Sequence, residues 1–215
     1  MRNVLLTGFE PFGGESVNPA LQAVLSLHGA VIQDYKIEVC EIPTVFGRSI
    51  NRLVEAIRRT EPALVLCVGQ AGNRPDITIE RIAINVSDAS IPDNEGNRPI
   101  DEPVVPGGPA AYWSTLPVKA IVSALRDNGI PASVSQTAGT YVCNHLFYGL
   151  MHHLASSSQP IRGGFVHVPY LPEQAARHPG QPSMPLEWIV RALETAIETA
   201  VATDADITAE GGQIS

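Results

Sequence analysis

Short apolar runs alternate with amphipathic segments along almost the whole chain, and this alternation constrains the fold more than any other feature. The runs at 3–7, 37–42 and 63–68 consist mainly of aliphatic and β-branched residues, as buried strands do. Between such runs, 46–60 and 118–128 repeat their apolar residues at helical spacing. Strands that alternate with helices form a mostly parallel sheet covered on both faces. The sequence therefore predicts an α/β fold, a three-layer α/β/α sandwich with a mostly parallel, twisted central sheet.

Length and composition favour one domain over residues 1–215. The chain has 215 residues, of which 44% are hydrophobic, enough to bury a substantial core without disulfides. We expect about 204–215 to form a frayed C-terminal tail. The net charge of −8 argues against a nucleic-acid partner. No apolar run is long enough to cross a bilayer, so no membrane association is predicted.

Cys143 lies where a strand-like run, 130–134, gives way to a helical pattern carried by residues such as Leu146 and Leu150. A thiol in the first turn of a helix is close to the positive end of the helix dipole, which favours the thiolate. The free N–H groups of that turn could hold the oxyanion of an acyl-transfer intermediate. The sequence therefore predicts a thiol hydrolase.

The other two cysteines, Cys40 and Cys67, lie in strand-like runs and are interpreted as small buried side chains. No cysteine or histidine spacing is typical of zinc, so we predict no metal. The chain opens Met-Arg-Asn directly before a strand, without the apolar stretch of a signal peptide. These features predict a cytoplasmic protein.

A thiol hydrolase needs a base and a group that orients the base. His167 is the preferred base because it lies near the end of a strand-like segment, where ligands of α/β sheets gather. Glu80 is the preferred orienting group, since a carboxylate in a half-buried strand needs a partner. His145 competes as the base, but residues two apart on a helix do not face each other, which ranks it below His167. Taken singly, side chains of these types are far more often structural than catalytic.

Several segments, in the same order along nearly the whole chain, resemble one known family. They are LLTGFEPFGG (5–14), VGQAG (68–72), ERIAIN (80–85), IPDNEG (91–96), GGPAAYW (107–113), AGTYVCNH (138–145) and HVPYLP (167–172). This pattern resembles the pyroglutamyl peptidases of the type I cysteine class, also called pyrrolidone carboxyl peptidases. The resemblance implies a triad of Glu80, Cys143 and His167. It also implies a cytoplasmic, cofactor-free enzyme that removes an N-terminal pyroglutamyl residue from peptides and assembles as a homo-oligomer, often a tetramer.

The resemblance further implies a pocket for the flat, uncharged lactam of the substrate. Its implied residues are Phe9, Phe12, Asn18, Thr44, Gln70 and Tyr141. The aromatic side chains would form the walls, while the backbone of Gln70 and the Asn18 side chain would bind the lactam. Phe9 and Phe12 could instead be ordinary core residues, although their Gly/Pro-rich loop argues against it. Asn18 also has the sequence context of a helix N-cap, and both roles can hold together.

Three alternative functions remain at this stage. The glycines at Gly8, Gly13 and Gly14 follow a strand, as in nucleotide-binding domains, but the phosphate-binding spacings are missing. A non-catalytic relative is favoured only by Ser90, where the resembling family often carries an arginine. A thiol amidase acting on another cyclic or acyl amide would differ only in its pocket.

Overall fold

The computed structural model describes residues 1–212 and contains a mixed, mostly parallel sheet. The strands in chain order are β1 (Arg2–Phe9), β2 (Val31–Ile32), β3 (Tyr35–Ile42), β4 (Leu64–Gln70), β5 (Ile77–Glu80), β6 (Ile82–Ile84), β7 (Ala111–Trp113), β8 (Ala132–Ser135) and β9 (Arg162–Val168). The seven-stranded sheet has the order β2-β3-β1-β4-β9-β5-β8. The β2–β3 and β5–β9 pairs are antiparallel, and the other pairs of this sheet are parallel.

Helices cover both faces of this sheet and bury two apolar clusters against it. The helices are α1 (Pro19–Ser26), α2 (Arg48–Thr60), α3 (Val118–Asp127), α4 (Val142–Ala155), α5 (Pro172–Ala175) and α6 (Leu186–Ala202). Helices α1, α3 and α6 pack on one face, and α2 and α4 pack on the other. The predicted three-layer α/β/α architecture is confirmed. The continuous burial of β1 from Val4 onward is explained by its central position between β3 and β4.

The segment predicted as one strand over 79–86 is divided in the structure. Strand β5 ends at Glu80, and β6 leaves the main sheet to pair with β7 in a separate two-stranded sheet. The sequence reading missed β2, β7 and α5, which have four residues or fewer. The predicted long loops between β6 and β7 carry no helix or strand apart from an isolated bridge between Ser87 and Glu102.

The segment predicted to be a frayed tail has no helix or strand over 204–212, but it contacts the body of the molecule. The Asp206 carboxylate accepts from the backbone N–H groups of Lys119 and Ala120 at the start of α3. The Gly211 carbonyl accepts from Arg81. Residues 213–215 of the predicted tail lie outside the described residues. In the part of the chain that the structure describes, no helix is long and apolar enough to cross a membrane.

Candidate active site

Glu80 and His167 form a buried pair at the β5–β9 junction. In the antiparallel register Thr78 lies opposite His167 and Glu80 lies opposite Phe165. Glu80 is therefore the diagonal neighbour of His167 on the same face of the sheet. His167 Nδ1 lies 2.7 Å from Glu80 Oε1, and the side chains are 4% and 0% exposed. Because a carboxylate can only accept, Nδ1–H donates, which leaves Nε2 free to exchange a proton with a substrate or nucleophile.

The charge on Glu80 is stabilised by two donors that share one oxygen. Burial alone would raise the pKa of Glu80, but the hydrogen bond and charge of His167, followed by the charge of Arg74, hold that pKa below its ordinary value. Arg74 Nη1 lies 2.5 Å from the same Oε1. We did not predict Arg74 as a site residue from the sequence. Its loop, between β4 and β5, gives no local signal for this contact.

Cys143 is the second residue of α4, as the sequence predicted. Tyr141 is the N-cap residue of α4; its backbone is extended, and its side chain makes no capping hydrogen bond to the described first-turn N–H groups. The first-turn N–H groups of α4 are therefore without a side-chain acceptor from the cap. Cys143 Sγ lies directly over Gly69, where a Cβ atom would come within 2.9 Å of it. Gly69 pairs with His167 in the β4–β9 register, so the sulfur lies above the strand position beside the imidazole.

The protein environment makes Cys143 a poor acid when no substrate is present. Burial is the largest influence and, together with the Glu80 carboxylate, raises the pKa of Cys143 to about 12, whereas Arg74 acts to lower it. Burial therefore opposes the thiolate form that the helix terminus was expected to favour. The residue still has partial solvent exposure. This combination requires a neighbouring base to accept the thiol proton during attack.

Three aromatic rings form a cluster beside the N-terminal end of α4. Tyr141 lies 6.0 Å from Phe12 and 5.5 Å from Phe46, measured between ring centroids. Its hydroxyl donates to the carbonyl of Pro92 at 3.0 Å. Phe12 and Tyr141 were predicted as pocket walls, and Phe46 was missed because it reads as an ordinary apolar residue near α2. Phe9, the remaining predicted wall residue, is 2% exposed and packs against Phe165, whose ring centroid lies 4.8 Å from that of His167.

Asn18 and Thr44 meet at the backbone of Glu10, in the loop after β1. The Glu10 carbonyl accepts from Asn18 Nδ2 at 3.3 Å and from Thr44 Oγ1 at 3.0 Å. Asn18 Oδ1 accepts from the Ala20 N–H, so its predicted role as N-cap of α1 is confirmed. The two predicted pocket residues are thus brought together by a residue that the sequence reading did not consider.

Gln70 ends β4, and its side chain is held by Gln174 of α5. Gln174 is fully buried, and its Nε2 lies 3.1 Å from Gln70 Oε1 and 3.3 Å from the Val17 carbonyl. Its Oε1 accepts from the N–H of Leu171. Gln174 therefore fixes the end of β4 relative to the loop that leads to Asn18. Glutamines are common in exposed first turns, so nothing in the sequence pattern singles out Gln174.

His145 does not reach the Glu80 pair. Its Nε2 accepts from the N–H of Gly47 at 2.9 Å, which places the proton on Nδ1, 3.1 Å from Ser87 Oγ. Burial lowers the pKa of His145 to about 4. The side chain is therefore a neutral link between α4 and two loops. Ser90 is exposed, and the arginine in contact with the Glu80 carboxylate is Arg74.

The region around Cys143 is not distinguished by a large surface cleft. A surface cleft of about 570 Å³ is lined by residues such as Arg2, Thr60 and Ile161, which lie away from Cys143 along the sheet strands. The described residues contain no group of three or more histidine, cysteine or carboxylate side chains suited to hold a metal ion. What distinguishes the Cys143 region is instead a buried, charged hydrogen-bond network beside a partly exposed thiol.

Comparisons with known proteins show which family this chain belongs to. A family model described as pyroglutamyl peptidase matches residues 2–203. The pyrrolidone-carboxylate peptidase of Brevibacillus brevis is 63% identical over 100% of both chains. The crystal structure of pyroglutamyl peptidase I from Bacillus amyloliquefaciens superposes with a TM-score of 0.94 at 52% identity, covering 96% of this chain and 100% of that one. A mutant pyrrolidone carboxyl peptidase from Pyrococcus furiosus gives 0.91 at 45% identity, covering 93% and 98%.

The fold and these matches define the chain as a hydrolase of the cysteine peptidase class. It belongs to the pyroglutamyl peptidase family. The family resemblance predicted from the sequence motifs is confirmed.

Proposed function

We propose that this protein hydrolyses the amide bond after an N-terminal pyroglutamyl residue of peptides, with Cys143 as nucleophile, His167 as general base and acid, and Glu80 as the orienting carboxylate. The observation that carries the proposal is the buried 2.7 Å bond between His167 and Glu80, beside the thiol at the start of α4. The names of the relatives supply the substrate class.

The reaction follows from these positions. His167 Nε2 takes the thiol proton while Sγ attacks the pyroglutamyl carbonyl carbon, and the resulting oxyanion accepts from first-turn N–H groups of α4. The imidazolium then donates its proton to the departing amine as the C–N bond breaks, which leaves a thioester. Water attacks this acyl-enzyme with His167 again as the base, and it releases pyroglutamate and the free thiol. Glu80 stays ionised throughout and stabilises the imidazolium.

The proposed pocket holds the lactam through shape and a few hydrogen bonds. Phe9, Phe12 and Tyr141 would supply the apolar walls, and the backbone at Gln70 with the side chain of Asn18 would bind the lactam, with Thr44 beside them. The polar anchoring of Asn18 and Thr44 on Glu10 supports this assignment, since a specific site needs pre-positioned groups. Such a site rejects residues that cannot pair with both lactam groups.

The test is fluorophore release from a pyroglutamyl amide, beside a prolyl amide that lacks the lactam carbonyl. We expect cleavage of the pyroglutamyl amide alone, loss of activity after iodoacetamide, and no turnover by Cys143→Ser or Cys143→Ala. Cys40→Ser removes another free thiol and is the matched control. Retention of most activity by Cys143→Ala would exclude thiol catalysis, and equal cleavage of both amides would exclude the pocket.

We further infer a homo-oligomer, a tetramer by family resemblance, that works without cofactor in a reducing cytoplasm. A thiol nucleophile must stay reduced, which supports the compartment. Exposed apolar side chains such as Ile100 and Trp113, 69% and 65% exposed, are candidates for an interface between subunits. Light scattering gives the oligomeric mass, and a monomer at assay concentration would contradict the tetramer. Activity should survive dialysis against EDTA.

A further inference from the structure

Arg74 connects Glu80, the orienting carboxylate of the proposed triad, to the segment that carries the nucleophile Cys143. Its Nη1 lies within hydrogen-bond distance of Glu80 Oε1, Thr78 Oγ1 and Ser135 Oγ, at 2.5, 2.5 and 3.3 Å. Its Nη2 donates to the Thr137 carbonyl at 2.8 Å. A single guanidinium thus spans β5, the end of β8 and the loop that leads into α4.

We propose that Arg74 is a positioning residue for catalysis: it holds the Glu80 carboxylate that accepts from His167 Nδ1–H, and it fixes the loop before Cys143. The inference rests on the proposed function, in which Glu80 must accept from His167 Nδ1–H. It adds a cation that neither the relatives' names nor the sequence motifs assign to the site.

The hydrogen-bond geometry favours a charged Glu80. Oε1 receives two N–H donors, from Arg74 and His167, so it has no room for a proton of its own. Oε2 is buried and has no hydrogen-bond partner among the described residues, so both donors to this carboxylate act at Oε1. Arg74 is 23% exposed and Glu80 is 0% exposed, so the pair is shielded from most of the solvent. A buried carboxylate without such a cation tends to protonate.

The charges around the site predict the direction of a pH effect. The groups that act on Glu80 are His167 of β9 and Arg74, and those that act on Cys143 of α4 are Glu80, Arg74 and Cys67 of β4. Arg74 lowers the pKa of both Glu80 and Cys143. Removing it therefore moves both titrations to higher pH, and the acid limb of kcat/KM moves with them.

The experiment compares wild type with Arg74→Ala, Arg74→Lys and Arg81→Ala in kcat, KM and their pH dependence. For Arg74→Ala we expect kcat to fall about 10- to 100-fold with KM little changed, the size expected for losing a hydrogen bond between charged groups. The acid limb should move to higher pH. Guanidinium chloride at concentrations below unfolding should restore part of the rate, whereas urea should not. Arg74→Lys keeps the positive charge but loses the planar set of guanidinium donors. Its kcat and the position of its acid limb should therefore lie between those of wild type and Arg74→Ala.

Arg81 is the matched control, because it follows Glu80 in the chain but donates to the Gly211 carbonyl. Arg81→Ala should leave the pH profile in place. The rate of Cys143 alkylation by iodoacetamide, followed by peptide mass mapping, needs no substrate and should fall in Arg74→Ala at neutral pH. This readout separates a failure of the Arg74 proposal from a failure of the substrate assignment. An unmoved acid limb with an unchanged alkylation rate, or an equal shift in Arg81→Ala, would overturn the proposal.

Discussion

Gly69 and Cys143 are in direct contact across the β4–α4 junction: a methyl group on Gly69 would lie 2.9 Å from Cys143 Sγ and 2.8 Å from the ring of Phe165. Such distances are shorter than packed atoms tolerate, so the absence of a side chain at Gly69 creates the space for the thiol. Because Gly69 also pairs with His167 in the sheet, the same residue sets the relation between nucleophile and base.

Gly69→Ala should therefore reduce catalytic activity strongly while it lowers the free energy of unfolding only moderately. Displacing Sγ by about 1 Å from a productive geometry can reduce kcat/KM by about 100-fold. Overpacking should lower the free energy of unfolding by about 1–3 kcal/mol. Gly212→Ala is the control, since no atom of the described residues, apart from its chain neighbours, lies within 4 Å of a Cβ added there. Kinetics and urea unfolding of both variants check this, and a fully active Gly69→Ala would contradict the packing argument.

Glu80→Gln should reduce kcat far more than it raises KM, because Glu80 stabilises the imidazolium and is not placed to touch the substrate. An amide can present its N–H to His167 and favour the wrong tautomer, an effect that in a comparable triad reaches about 10⁴-fold. Glu38→Gln, on β3 beside Lys36, is the matched control and should keep wild-type kinetics. Equal loss of kcat in both variants, or an unchanged kcat in Glu80→Gln, would remove Glu80 from the mechanism.

Local pattern predicted most of the fold because the strands and helices alternate in a simple way. Residues such as Val4 and Leu66 lie in strands buried on both faces, and their unbroken apolar runs identified the central strands. The prediction of one strand over 79–86 was wrong at Arg81, where the chain leaves the main sheet between β5 and β6. The direction of β5 in the sheet could not be predicted from the sequence either, because its antiparallel pairing with β9 depends on tertiary packing. That antiparallel pairing is what makes Glu80 the diagonal neighbour of His167.

Site residues could be predicted from the sequence only where the side-chain type itself indicates a catalytic role. Cys143, His167 and Glu80 could be chosen by type and position, and the structure brings Glu80 and His167 together. Arg74 and Gln174 could not, because their importance lies in which partner they contact. The effect of burial on the pKa of the Cys143 thiol was also inaccessible, since burial around a helix terminus cannot be read from spacing.

Asp93 should control the stability and shape of the loop beside the aromatic cluster. Its carboxylate accepts from the N–H groups of Phe46, Glu95 and Asn97 at 2.9, 2.9 and 2.8 Å. Burial alone would raise the pKa of Asp93, but these bonds, with that of the Asn97 side chain, lower it. Asp93→Asn leaves donors unpaired and should lower the free energy of unfolding by about 1–3 kcal/mol. It should also raise KM, because Phe46 and the loop that anchors Tyr141 shift.

The pH dependence of this effect has a definite sign. A carboxyl whose pKa is lower in the folded state stabilises the fold above its unfolded pKa, about 3.9, and this stabilisation is lost as pH falls through the folded pKa. The difference in unfolding free energy between wild type and Asp93→Asn should therefore be full at neutral pH and shrink in acid. Asp34→Asn, in an exposed turn, is the control and should show no such difference. If the difference in unfolding free energy between wild type and Asp93→Asn stayed constant with pH, it would contradict the lowered pKa of Asp93.

His145 should make the fold sensitive to mild acid without acting in catalysis. Its pKa is lowered to about 4 by burial, against an unfolded value of about 6.5, so the unfolded chain binds the proton more readily. Stability present above pH 6.5 should then decline by on the order of 3 kcal/mol as pH falls toward 4. His145→Asn should be less stable at pH 8, because the N–H of Gly47 loses its acceptor, but it should lack this part of the acid slope. His28→Asn, on the surface, should keep the wild-type slope, and urea unfolding between these pH values measures all three proteins. An identical slope in His145→Asn would mean that His145 accepts a proton in the folded protein without cost, which would contradict the closed, neutral link described for it.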